Sequence, residues 1–188
     1  MMAVQPGEYL LHIIISTIII IINTINVVVI PSYYLPDYPP HPDQSILLYL
    51  EGGGGCFDAA SCVERCTVAS PLLCTQDPAL VKNFTGSIWS EVEEENPGLH
   101  DFYKVYLPYC TSDVYAGTRD AVEDSAGYAF HGKYVVKAVV DELLKIEIFQ
   151  TRIPQFVLMG MSAGKASLSF TSSVLQCTMI PLSTRMLR

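Results

Sequence analysis

A short apolar run, Gln155-Phe156-Val157-Leu158-Met159-Gly160, leads directly into Met161-Ser162-Ala163-Gly164, and this junction constrains the fold more than any other feature of the chain. The run has the length and continuity of a strand buried in a sheet. Small residues surround the serine at Gly160, Ala163 and Gly164, and the two glycines leave space for a turn too tight for side chains. Strand, sharp turn bearing a serine, then helix is the order in which G-x-S-x-G acts as a nucleophile elbow, with the serine Oγ held above a sheet. The Ala163 N–H, at the helix start, then faces the oxygen that becomes charged when an ester carbonyl is attacked. The expectation is an α/β fold.

Upstream segments agree with that expectation. Ser45 to Leu50 (SILLYL) reads as a buried strand and runs into Glu51 and four consecutive glycines, Gly52 to Gly55. Amides in such a loop are unobstructed and can curl around an anion, which supplies a second N–H source beside Ala163. Val105 to Tyr109 reads as a strand ending in Cys110. Helical periodicity is clearest from Phe130 to Lys145, where Val136, Val139, Val140, Leu143 and Leu144 form one stripe. Lys133, Lys137, Asp141 and Lys145 fall opposite, with Lys137 and Asp141 four apart. His131 reads as a packing or surface residue, and Asp113 as an acid of use in catalysis only beside a partner histidine. Glu91, Glu93, Glu94 and Glu95 read as a solvated face before Asn96-Pro97.

From Leu10 to Ile30 no residue is formally charged. As a helix, that length would span about 31 Å, close to a bilayer core. The expected layout is a hydrophobic leader or signal anchor over 1–30, a Pro/Tyr-rich connector over 31–44, the domain proper over 45–176 and an unassigned tail over 177–188. A positive n-region is missing, since only Glu8 carries charge before Leu10. Six cysteines, the apolar leader and the acceptor triplet Asn83-Phe84-Thr85 favour a secreted or extracellular protein, N-glycosylated at Asn83; the alternative is membrane anchoring through residues 10–30. Fifteen full disulfide pairings are open. The cysteine spacing lacks paired CxxC units, so no structural zinc is expected. A net charge of −8 argues against nucleic acid as a partner.

Several blocks recur in the order of one known family: Leu50-Glu51-Gly52-Gly53 with Cys56-Phe57 and Cys62, Glu94-Glu95-Asn96-Pro97, Leu107-Pro108-Tyr109-Cys110-Thr111-Ser112-Asp113-Val114-Tyr115-Ala116-Gly117, Tyr128-Ala129-Phe130 with Gly132, and the elbow at Ser162. Over roughly residues 45 to 170 the chain resembles the pectin acetylesterase/Notum family of α/β-hydrolase-like serine esterases. The resemblance implies a mostly parallel sheet with flanking helices, truncated after the nucleophile elbow. It implies Ser162 as nucleophile, the N–H groups of Gly53, Gly54 and Ala163 as oxyanion hole, and a short disulfide between Cys56 and Cys62. Cys110 matches a cysteine whose usual partner lies upstream of the first strand, leaving it unpaired or joined to Cys66 or Cys74. The implied activity is carboxylic-ester hydrolysis through an acyl-enzyme, deacylating a lipid-modified protein or an acetylated polysaccharide, with no metal or organic cofactor.

Departures from the family pattern matter as much. Gly54 and Gly55 stand where the family carries aromatics that wall a deep acyl pocket. Lys165 replaces the elbow's second glycine, and Met161 replaces a small residue. Only 26 residues follow Ser162, and none is Asp, Glu or His, whereas the triad order is serine, acid, histidine. The alternative reading is therefore a catalytically inactive, truncated relative acting as a secreted or membrane-tethered binding protein.

Overall fold

The computed structural model describes residues 9–10, 12–15, 32–36, 40–69, 83–120, 126–146 and 155–168. Cys74, Cys177, the 177–188 tail and most of the 10–30 run lie outside them. In chain order the elements are strands β1 (Tyr9–Leu10), β2 (His12–Ile15), β3 (Ser32–Leu35) and β4 (Ile46–Leu50), helix α1 (Ala59–Glu64), a π-helical turn at Arg65–Ala69, strand β5 (Asn83–Phe84), a 3-10 turn at Ser87–Trp89, strand β6 (Tyr103–Leu107), helix α2 (Gly132–Leu143) and strand β7 (Phe156–Gly160).

Among the described residues five strands form one sheet in the order β2-β3-β6-β4-β7, and β1 pairs with β5 in a separate two-stranded ribbon. At one end of the sheet the Tyr103 N–H donates to the Ser45 carbonyl and the Ile46 N–H to the Gln155 carbonyl. The starts of β6, β4 and β7 are thus neighbours, and these strands run the same way. β3 is antiparallel to β6, through Tyr34 opposite Tyr106, and β2 is antiparallel to β3. Only β3 is reversed, so the mostly parallel sheet expected from the sequence is what forms. In β4 a continuous apolar run is the reason, with Ile46, Leu47 and Leu48 fully buried, as is Val105 of β6. By contrast β7, last in the strand order, is only half-buried along Phe156–Gly160, where its apolar run predicts burial.

The membrane-anchored expectation is corrected here. His12–Ile15 is not part of a helix; it forms β2, in register with Ser32–Leu35 of the Pro/Tyr-rich segment. Among the described residues no helix is long and apolar enough to cross a membrane. Ile and Val are β-branched and fit a pleated sheet better than a helix once a partner strand is available. Side-chain hydrophobicity alone could not separate the two outcomes.

The chain divides into two compact units. The first holds most of the sheet. Its packing centre is aromatic, with Tyr106 at 4.4 Å from Phe84 and stacked at 5.8 Å on Tyr49, and Trp89 at 4.6 Å from Phe84. Lys104, on β6, is buried to 1% exposure, and its Nζ donates to the carbonyls of Ser90 (3.2 Å) and His100 (3.0 Å). Asn96 is also buried, its amide donating to the Ile88 and Ser90 carbonyls at 3.0 and 2.9 Å. Glu91, Glu93, Glu94 and Glu95 are exposed beside it, as expected. The second unit carries α1, α2 and the elbow. Helix α2 buries Val135, Val136, Val139, Val140 and Leu143 and exposes Lys133 and Lys137, the latter paired with Asp141.

Burial depresses the Lys104 pKa to about 8, with Glu91 and Asp101 only partly offsetting the loss of water. Between pH 8 and about 10 the unfolded chain holds a proton on this lysine that the folded chain has shed, so folding stability should rise with pH across that window. Urea denaturation at pH 7.5, 8.5 and 9.5 should show the midpoint climbing in the wild type and flattening in Lys104→Met.

Candidate active site

Beyond Leu50 the chain leaves β4 as Glu51 and the four glycines. This loop is anchored at both ends. Glu51 Oε2 accepts the Tyr109 N–H at 2.9 Å, and the Tyr115 hydroxyl donates to the Glu51 carbonyl at 3.1 Å. The Tyr109 hydroxyl accepts the Val114 N–H at 2.7 Å, and the two buried tyrosine rings lie 4.8 Å apart. At the far end the Cys56 N–H donates to the Ser112 carbonyl at 2.9 Å. The Cys56–Cys62 disulfide, with Cα atoms 5.0 Å apart, ties the loop to α1. Helix α1 starts with a capping box, Asp58 accepting the Ser61 N–H at 2.7 Å while the Ser61 hydroxyl accepts the Asp58 N–H at 3.1 Å. Arg65 follows α1; its Nε donates to Ser112 Oγ at 2.7 Å and its guanidinium also donates to the Gly53 carbonyl.

The elbow has the geometry that the motif requires. Ser162 sits at φ 55°, a left-handed conformation that costs an L-residue energy, and its side chain is exposed. Residues 163–168 are helical, with the Ala166 N–H donating to the Ser162 carbonyl at 2.9 Å. Ala163 is buried. The glycines are forced by close approach: a Cβ at Gly164 would overlap the Leu50 carbonyl, and one at Gly52 would overlap the Met161 carbonyl and stand 3.0 Å from Ser162 Cβ. The glycine loop therefore packs directly on the serine turn. Two weak sequence signals, over a hundred positions apart, become one site.

Other residues singled out in the sequence serve the frame. Asp113 is a hub: it accepts from Thr111 Oγ1 at 2.5 Å, from the Gly132 N–H at 2.7 Å and from the Tyr115 N–H at 3.0 Å. Desolvation raises its pKa, opposed by those donors, and every one of them is structural. His131 is buried at the start of α2 with Nε2 3.2 Å from the Asp120 carboxylate, a contact too poorly directed to count as a hydrogen bond. Among the described residues no side chain hydrogen-bonds to Ser162 Oγ. Although Glu51 and Ser112 fall inside the family blocks, neither they nor Arg65 acquires a role of its own from sequence reasoning, because nothing local marks a carboxylate, guanidinium or hydroxyl that acts across some fifty residues.

Cysteine chemistry follows the same division. Cys56–Cys62 forms as the resemblance implied. Cys66 is disulfide-bonded as well, while Cys110 carries a free thiol, so those two are not joined. Burial pushes the Cys110 pKa up to about 11, with the Asp113 charge adding to it, so thiolate is scarce at neutral pH. Beside the glycine loop lies a cavity of about 520 Å³, lined in part by Gly55, Phe57, Ser112, Asp113 and Phe130. Met161 and Lys165 both face solvent next to the serine. Among the described residues no group of His, Cys, Asp and Glu is arranged to hold a metal ion.

Comparison with known proteins places this geometry. The pectinacetylesterase family profile matches residues 29–181. A palmitoleoyl-protein carboxylesterase NOTUM from Schmidtea mediterranea is 33% identical over 135 residues, covering 72% of this chain and 25% of its own length. The corresponding human protein is 35% identical over 133 residues, covering 71% of this chain and 26% of its own. The crystal structure of the Wnt deacylase Notum from Drosophila superimposes with a TM-score of 0.66 at 29% identity, covering 78% of this chain and 43% of that one. The fold is thus α/β-hydrolase-like, and the chain spans about a quarter of the length of the curated relatives it matches.

Strain and close packing at the elbow give opposite signs for two substitutions. Ser162→Gly should stabilise the fold by about 1 kcal/mol, because glycine adopts the left-handed conformation freely. Gly164→Ala should destabilise it by about 1–3 kcal/mol through the clash with the Leu50 carbonyl. Urea midpoints at constant m-value measure both.

Proposed function

Because the chain belongs to the pectinacetylesterase family, we propose that these 188 residues carry the nucleophile and oxyanion half of a serine carboxylesterase site and, taken by themselves, bind an ester-bearing ligand without turning it over. The observation that carries this reading is the Ser162 turn, held at φ 55° against the glycine loop, in a sequence with no Asp, Glu or His after the serine. The ester carbonyl oxygen would rest among the N–H groups of Gly53, Gly54 and Ala163, with its carbon facing Ser162 Oγ. Preorganised donors of this kind stabilise developing negative charge without reorganising. Without a histidine to take the hydroxyl proton, Oγ remains a poor nucleophile at neutral pH.

Full hydrolysis is the second reading, and the retained strain at Ser162 favours it. An acid and a histidine supplied to this site by further sequence would let Oγ attack the carbonyl as the histidine takes its proton. The resulting tetrahedral oxyanion would collapse, expelling the alcohol with that proton, and water would then clear the acyl-enzyme by the same route. For the ligand, the relatives' name points to an acyl group on a protein. Gly54 and Gly55 supply no aromatic wall for a long acyl chain, so a short acyl ester or an acetylated glycan suits this site better.

The two readings separate on p-nitrophenyl acetate and butyrate. The 188-residue chain should hydrolyse both no faster than its Ser162→Ala variant, while calorimetry with ethyl butyrate detects saturable binding. Turnover that depends on Ser162 in this chain would replace the binding reading with the catalytic one. Neither turnover nor binding would remove both.

A further inference from the structure

Arg65 reaches back twelve residues to the glycine loop. Its guanidinium donates to the Gly53 carbonyl, and its Nε donates to Ser112 Oγ at 2.7 Å. The guanidinium also lies 5.7 Å from the centroid of the Tyr109 ring. A Cβ placed on Gly54 would find an Arg65 guanidinium nitrogen at 3.4 Å as its nearest neighbour. Arg65 is held in turn at the end of α1, where its N–H donates to the Cys62 and Ser61 carbonyls, one turn after the Cys56–Cys62 disulfide.

The consequence follows from peptide geometry. The Gly53 carbonyl and the Gly54 N–H belong to the same planar peptide group, and among the described residues every peptide is trans. In a trans peptide these two groups point in opposite directions. Fixing the carbonyl therefore fixes the direction of the N–H. Glycine on both sides of this peptide leaves its rotation otherwise almost free, and Gly54 itself sits at φ 73°. A charged donor on the carbonyl also polarises the amide and strengthens the N–H as a donor.

We infer that Arg65 is a positioning residue for the Gly53–Gly54 peptide, aiming and polarising the Gly54 N–H toward the oxygen of a bound ester. This rests on the proposed role of Gly54 in the oxyanion hole, but the clasp itself is read without any ester. Arg65 would act through this peptide group and not on the ester itself. Its role differs from that of the Cys56–Cys62 disulfide, which fixes the loop's far end but leaves the peptide rotation open. Lysine substitutes poorly because one ammonium cannot reproduce the guanidinium's fixed fork.

The test is the Gly54 amide cross-peak of the 15N-labelled 188-residue chain, compared with Arg65→Gln, Arg65→Lys and Ser112→Ala. Gly54 should shift most in Arg65→Gln and less in Arg65→Lys, and in each case more than glycines outside residues 52–55. Ser112→Ala removes one anchor of the arginine and should also move Gly54, so this variant decides the question if Arg65→Gln unfolds. A Gly54 peak that stays in place in the folded variants overturns the inference. The catalytic consequence is read separately, on a chain extended to include an acid and a histidine. There Arg65→Gln should lower kcat about tenfold or more with KM unchanged, partly restored in Arg65→Lys. If that wild type shows no Ser162-dependent turnover, the esterase reading fails while the Gly54 shift still decides the clasp. A kcat unaffected by Arg65→Gln in an active chain overturns the positioning role.

Discussion

The site depends on one close approach: the serine turn packs against the end of β4 and the start of the glycine loop with no room for a single Cβ. Gly164 lies on the Leu50 carbonyl, and Gly52 lies on the Met161 carbonyl and Ser162 Cβ. This contact requires glycine at position 52 of the loop and position 164 of the elbow, and beside it Ser162 holds a left-handed conformation. Strain of that kind persists only when the surroundings over-determine it. Here the buried Ala163 on one side and the anchored glycine loop on the other supply that determination.

Around the contact, the half-buried carboxylates of Glu51 and Asp113 do architecture. Glu51 holds the Tyr109 backbone, and Asp113 gathers three donors from its own turn and from the first residue of α2. Each satisfies N–H groups that would otherwise be buried unpaired. Asp113 would attract attention as a catalytic acid by its raised pKa alone, yet every partner it has belongs to the frame. A perturbed pKa marks burial and crowding, and only the identity of the neighbours separates a structural carboxylate from a working one. The same test sets His131 aside: a buried histidine near an aspartate resembles a base with its orienting partner, but no hydrogen bond links it to Ser162 Oγ.

Legibility in the sequence varied with how local each signal was. β4, β6, β7 and α2 appeared within two or three residues of their bounds, because Ile46 to Leu50 and the Val136, Val139, Val140, Leu143 stripe carry their periodicity within a dozen residues. The elbow was legible for the same reason, and the Cys56–Cys62 pair through family resemblance. The Leu10 to Ile30 run misled. A charge-free Ile/Val stretch satisfies the length test for a membrane helix, yet its His12–Ile15 portion is a strand. What decided it was pairing with Ser32–Leu35, a partner that no hydropathy pattern reveals.

The sequence by itself determined the local pattern at the candidate site: a serine bracketed by Gly160 and Gly164 after an apolar strand, and a run of four glycines far upstream. Those are properties of residue type and order. Tertiary structure alone decided which distant groups meet. The junction of Gly52 with Ser162, the grip of Arg65 on the Gly53 carbonyl and the free state of Cys110 beside a disulfide-bonded Cys66 are facts of distance. Hydrogen bonds and steric contacts act over a few ångströms, whereas order along the chain constrains separation in space only over a few residues.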